Sequence, residues 1–152
     1  MKLKVGDKAP SINALDQFGN KISLEDFKGS KIVIYFYPKD DTPGCTAEAC
    51  SLRDNYKVLM DKGFRIIGVS ADNSKSHMKF TEKYQLPFPL IPDTDKKIIQ
   101  DYGVWGRKKF MGREFDGIIR TTFVIGEDGN ILKVFEKVDT KDHANQILSE
   151  IN

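Results

Sequence analysis

Ile32-Val33-Ile34-Tyr35-Phe36-Tyr37 runs without a charge into Pro38-Lys39-Asp40-Asp41-Thr42-Pro43-Gly44-Cys45, and a second cysteine, Cys50, follows. The first six residues are apolar or aromatic and β-prone, the mark of a strand covered on both faces. Thr42-Pro43 then opens a helix. Threonine is a favoured N-cap, and proline suits the first helical position because the N–H it lacks would have no partner there. Cys45 falls at the third helical position. From it an apolar stripe runs through Ala49, Leu52, Tyr56 and Leu59, so the helix extends to about Met60 with Cys45 at the start of its inward face. Phe64 to Ser70 is a second strand of the same kind as the first. Strand, helix, strand at this spacing forms a βαβ unit, hence a parallel pair with a right-handed crossover.

Outward from that unit, Ser11 to Leu15 and Lys21 to Leu24 flank Gln17-Phe18-Gly19-Asn20 and read as a small N-terminal hairpin. Ser74 reads as the N-cap of a helix through Tyr84. Pro87, Pro89 and Pro92 punctuate a short extended stretch around Leu90-Ile91. Asp93-Thr94-Asp95 caps a short helix ending near Tyr102-Gly103. Val104 to Gly117, with three glycines and little periodicity, reads as a long loop. Ile118 to Ile125 and Ile131 to Glu136 flank Glu127-Asp128-Gly129-Asn130, a hairpin signal. Thr140 to Ile151 reads as a closing helix. The expected fold is α/β, one domain over residues 1–152: a mixed sheet, parallel early and antiparallel late, with helices on its faces.

Composition narrows the function. The 152 residues carry 24 basic and 22 acidic side chains, a net charge of +2. That balance argues for neither nucleic acid nor an anionic membrane as partner. No apolar run approaches the roughly 20 residues of a membrane helix. Met1-Lys2-Leu3-Lys4-Val5-Gly6-Asp7 has no signal-peptide apolar core, so the expected compartment is the cytoplasm. Two cysteines in that reducing setting are more often catalytic, redox-active or metal-binding than a permanent staple.

The start of a helix presents unpaired N–H groups and partial positive charge. A thiol held there gives up its proton more readily, and the thiolate is the reactive form. Cys50 lies about 140° around the helix from Cys45, with a Cα separation of roughly 8.6 Å on an ideal helix. A disulfide needs less than about 7 Å. If the two thiols act as a pair, the first turns must unwind, which Gly44 would ease; otherwise one is buried, the other exposed, and they are unrelated. A metal set of Cys45, Cys50, His77 and His143 is the rival. Its Cys-x4-Cys spacing is loose for zinc and its histidines lack short pairing, so no metal or other cofactor is expected. Both histidines read as surface residues. Arg120 opens a β-prone run, either as a solvated edge charge or as a fixed cation aimed at the thiolate. Arg107, Lys108, Lys109 and Arg113 read as a solvated loop, with an acidic docking partner as the alternative.

Pro38, Thr42 and Cys45, in the spacing Pro-x3-Thr-x2-Cys, resemble the active-site signature of the peroxiredoxins. The longer string from Tyr35 to Thr46, with Glu48 and Cys50, resembles the bacterioferritin comigratory protein, or peroxiredoxin Q, subfamily. Val5 to Pro10, Tyr102 to Gly106 and Gly117 to Ile125 match it too, so the resemblance spans nearly the whole chain. It implies a thioredoxin-like fold with an N-terminal β-hairpin extension and thiol-dependent reduction of hydrogen peroxide and organic hydroperoxides. It further implies that Cys45 is the peroxidatic cysteine and that Thr42 hydrogen-bonds thiolate and peroxide. Pro38 would shield the site from water, Arg120 would stabilise it, and Cys50 would be the resolving cysteine. Recycling by thioredoxin or a similar dithiol, and a monomeric state, are the expectations for partners. The alternatives are a thioredoxin-type disulfide oxidoreductase, which would want Cys-x-x-Cys, and a non-enzymatic peroxide sensor.

Overall fold

The apolar run Ile32 to Tyr37 is buried throughout and supplies the middle strand of a five-stranded sheet. The computed structural model describes residues 2–151. In chain order the elements are β1 (Asn13–Leu15), β2 (Lys21–Ser23), a 3-10 turn (Leu24–Phe27), β3 (Lys31–Phe36), α1 (Pro43–Asp54), α2 (Tyr56–Asp61) and β4 (Phe64–Ser70). Then come α3 (Ser74–Tyr84), β5 (Leu90–Pro92), α4 (Lys97–Asp101), β6 (Trp105–Phe110), β7 (Arg113–Ile118), β8 (Thr121–Ile125), β9 (Ile131–Phe135) and α5 (His143–Glu150). The central sheet has the order β5-β4-β3-β8-β9. β3, β4 and β5 are parallel, whereas β8 and β9 are antiparallel to their neighbours. This is the mixed sheet expected, with β1 and β2 as the N-terminal hairpin.

Strand side chains alternate between faces, and two cores follow from that. Ile32, Ile34 and Phe36 pack with Ile67, Val69, Phe123, Ile98, Ile99 and Tyr102 on the side covered by α4 and the N-terminal hairpin. Val33, Tyr35 and Tyr37 pack with Cys45, Ala49, Leu52, Leu59, Phe80, Ala144 and Ile147 on the side covered by α1, α2, α3 and α5. The apolar stripe that begins at Cys45 is therefore inward-facing. The helix carrying it is broken at Asn55, whose backbone (φ −108°, ψ 16°) separates α1 from α2. Asn55 N–H and its side-chain Nδ2 both donate to the Ser51 carbonyl, which fixes the break.

Two expectations need correction. Val104 to Gly117 is not a loop: β6 and β7 pair antiparallel from Trp105↔Ile118 to Phe110↔Arg113. The tip turns through Met111 (φ 53°) and Gly112 (φ 79°). Most of the hairpin is solvent-facing on both sides, so it lacks the alternation that a half-buried strand shows. Neither His77 nor His143 is a surface residue; both are fully buried. A smaller shift concerns α3, which Asn73 caps rather than Ser74, accepting from Ser76 N–H at 2.9 Å.

Candidate active site

β3 ends at Phe36, which is in register with Thr121 at the start of β8. That pairing carries Arg120 to the point where the chain leaves the sheet toward Cys45, although the two residues are 75 apart in sequence. Between them, the Pro38–Thr42 segment is tied down at two successive carboxylates. Asp40 accepts from Tyr37 Oη at 2.6 Å and Ser76 Oγ at 2.7 Å, and pairs with His77 Nδ1 at 2.7 Å. Its own N–H donates to Asp72 at 2.8 Å. Asp41, in the left-handed region at φ 55°, accepts from Lys83 and from Tyr84 Oη, each at 2.8 Å. His77 Nε2 faces the Ile91 carbonyl at 3.1 Å, so the buried ring braces this loop against the sheet.

Cys45 is 1% exposed, its sulfur in the first turn of α1. Arg120 Nη2 donates to Sγ at 3.3 Å, and Nη1 of the same guanidinium donates to Glu48 Oε1 at 2.7 Å. The arginine is thus a fixed cation, with 23% of its side chain exposed, not a solvated edge charge. Gly44 makes room for it: a Cβ there would meet Arg120 Nη2 at 3.1 Å. Thr42 is the N-cap by position and backbone, with its carbonyl accepting from Thr46 N–H at 2.8 Å. Its hydroxyl does not cap the helix; it donates to the Lys39 carbonyl at 2.9 Å. Pro38 is half-buried, two residues past the end of β3. Cys50 is also half-buried, and both thiols are free.

Burial pushes the Glu48 carboxyl up to about 7, against the pull of Arg120. Burial raises the Tyr35 phenol well above its ordinary range, reinforced by the charges of Glu48 and Cys45. Lys108 reaches back from β6, donates to the Ile118 carbonyl at 2.7 Å, and is lowered by burial and by the Arg120 charge. The cysteine–histidine set weighed as a metal site does not converge. His77 is engaged by Asp40, and His143 lies near Glu48, between Thr122 and Gln146. Among the described residues, the group with suitable ligand atoms close together is Asp40, Asp72 and His77, whose atoms are hydrogen-bonded within the loop brace. Sequence reading missed Glu48 as Arg120's anchor; its signal was a carboxylate on the buried side of α1, one turn beyond Cys45.

A βαβ unit continued by an antiparallel hairpin, with a reactive-type cysteine where the first helix leaves the sheet, defines a thioredoxin-fold thiol protein. Comparisons with known proteins narrow the class. Residues 5–134 match the AhpC/TSA family. A Bcp protein of Haemophilus influenzae is 47% identical over 146 residues, covering 96% of this chain and 94% of that one. Peroxiredoxin Bcp of Escherichia coli K12 is 44% identical, covering 97% and 94%. The structure of Xanthomonas campestris bacterioferritin comigratory protein superposes with a TM-score of 0.84 at 33% identity, covering 91% and 88%. The chain belongs to the AhpC/TSA family, as a peroxiredoxin of the Bcp or PrxQ type, and is a thiol-dependent peroxidase. Peroxides are its substrates and a thiol its reductant. Among the described residues no helix is long and apolar enough to cross a membrane.

Proposed function

We propose that Cys45 is the peroxidatic residue, and that it reduces hydrogen peroxide and organic hydroperoxides. The Cys45 thiolate attacks one peroxide oxygen in line with the O–O bond. The S–O bond forms as O–O breaks, and the departing oxygen takes a proton and leaves as water or alcohol. Sulfur is oxidised to the sulfenic acid. The observation that carries this reading is the guanidinium of Arg120, 3.3 Å from Sγ and anchored by Glu48. Positioned there, it holds the thiolate and stabilises charge on the departing oxygen. Free N–H groups in the first turn of α1 add to that field. Thr42 has its hydroxyl hydrogen committed to Lys39, so its lone pairs are directed to accept from the peroxide O–H. Pro38 keeps water from the sulfur. An alkyl hydroperoxide fits this scheme, and the Xanthomonas campestris relative is described by its alkyl peroxide reduction activity.

Cys50 then resolves the sulfenic acid. α1 unwinds, Cys50 attacks Sγ of Cys45, water leaves, and an intramolecular disulfide remains. A thioredoxin-type dithiol reduces it by exchange. The protein works as a monomer of one domain in the cytoplasm, where such dithiols are maintained. A peroxide-consumption assay driven by thioredoxin tests the scheme. Cys45→Ser loses turnover and Cys50→Ser stops after one; full turnover in Cys45→Ser overturns it.

A further inference from the structure

Glu48 lies between the two cysteines in sequence, and the steps above make no use of its proton. Its side chain is fully buried. Oε1 accepts from Arg120; Oε2 has no hydrogen-bond partner among the described residues and faces His143 Nε2 at 3.6 Å. The hydrogen on that imidazole is fixed from behind. Gln146 Oε1 accepts from Asp139 N–H at 3.0 Å, and Gln146 Nε2 donates to the Lys137 carbonyl at 2.8 Å. The amide oxygen therefore faces His143 Nδ1, 2.8 Å away, and Nδ1 must carry the hydrogen. In the neutral ring the lone pair of Nε2 is left pointing at the Thr122 hydroxyl, 2.9 Å away, and at Glu48 Oε2. A carboxyl proton on Oε2 has an acceptor within a small rotation. Burial favours that proton: the carboxyl is pushed up to about 7, while burial pushes the His143 ring down. The other charged or titratable groups facing Glu48 are Arg120 ahead of β8, the Tyr35 phenol of β3 and Cys45 one turn earlier on α1.

We propose that Glu48 is a proton-carrying catch on α1: forming the Cys45–Cys50 bond draws it out from between Arg120 and His143 and releases its proton, and refolding the helix takes one back. This rests on the Cys45–Cys50 chemistry proposed above. Residues five apart on an intact helix have Cα atoms roughly 8.6 Å apart, beyond disulfide reach. The turns that unwind to close this gap contain Glu48, so its buried position cannot survive the bond. In the resolving step itself, the S–S bond forms, the S–O bond breaks, and the Cys50 hydrogen departs with the hydroxyl as water. That step is proton-neutral. Any proton that appears comes from another group, and a Glu48 carboxyl in water ionises near its ordinary value of about 4.3. Rising pH therefore favours the opened helix, and falling pH the closed one.

Stopped-flow mixing of the reduced protein with one equivalent of peroxide, in weak buffer with an indicator dye, reads this directly. During disulfide formation at pH 6 the parent protein releases about one proton more than Glu48→Gln. The excess falls by half near pH 7, where folded Glu48 is already half ionised. Should the glutamine variant not fold, the pH profile of the parent alone decides. A release equal in both proteins, or constant from pH 6 to 8, overturns the proposal. Mass mapping of the product separates the two levels of inference. A Cys45–Cys50 disulfide formed without the release defeats the catch alone, whereas no such disulfide defeats the resolving scheme as well.

Discussion

Replacing Arg120 with methionine keeps an unbranched apolar stem and removes the charge and both donors. In the parent, Nη2 is 3.3 Å from the Cys45 sulfur and Nη1 is 2.7 Å from Glu48. A preorganised donor aimed at developing charge contributes about 3–4 kcal/mol in a water-poor site, so its loss slows the chemical step by about 100- to 1000-fold. Stability moves far less. Deleting one partner of a buried ion pair ordinarily costs about 3–5 kcal/mol, because the other charge is stranded. Glu48 escapes that penalty. Its carboxyl titrates at about 7 even with the arginine present, so at neutral pH it can take up a proton instead. The remaining cost is below about 1 kcal/mol. The assay is rapid mixing with one equivalent of peroxide, quenched and read by mass for Cys45 oxidation, beside urea unfolding of the same protein. A rate within about threefold of the parent would refute the electrostatic role of Arg120. Parallel, large losses of rate and stability would show instead that the arginine is only a structural tie.

Three further outcomes follow from the same geometry. The folded Glu48 carboxyl titrates above its unfolded value, so its contribution to stability is full below about pH 4.5 and is lost as pH rises through 7. Urea midpoints of the reduced protein should record a loss of about 3 kcal/mol across that window. Glu48→Gln, which can still accept from Arg120 and donate toward His143, should flatten it. Gly44→Ala puts a methyl 3.1 Å from Arg120 Nη2; peroxide turnover should fall by about tenfold as the guanidinium shifts, with the unfolding midpoint unchanged or slightly raised by the better helix former. His77→Phe removes one hydrogen-bond partner each from the buried Asp40 carboxyl, which keeps Tyr37 and Ser76, and from the Ile91 carbonyl, which keeps Asp93 N–H, and chemical unfolding should show a destabilisation of about 1–3 kcal/mol.

The parts of the fold written in local pattern were legible from sequence. Ile32–Tyr37 and Phe64–Ser70 announce buried strands by unbroken apolar runs, Thr42-Pro43 announces a helix start, and Asp128-Gly129, with Gly129 at φ 89°, announces the β8–β9 turn. The β6–β7 hairpin was not legible, because neither face is well buried and its turn residues are Met111-Gly112, not a turn dipeptide of the Asn-Gly kind. The histidines misled for a different reason. A histidine inside a helix reads as polar, and whether it is buried depends on partners far along the chain. Asp40 engages His77 from 37 residues away; Thr122 engages His143 from 21. Arg120 could be singled out by its place at a strand start, yet spacing alone could not say where its guanidinium points. Only the β3–β8 register brings it to Cys45.

The most direct test is to trap the oxidised sulfur itself. Cys50→Ser is treated with one equivalent of peroxide and then with a sulfenic-acid-specific reagent, and the modified residue is mapped by mass. The adduct should sit on Cys45, and Cys45→Ser should yield none at a comparable rate. An adduct on Cys50 in Cys45→Ser, formed as fast as peroxide is consumed by the parent, would contradict the account.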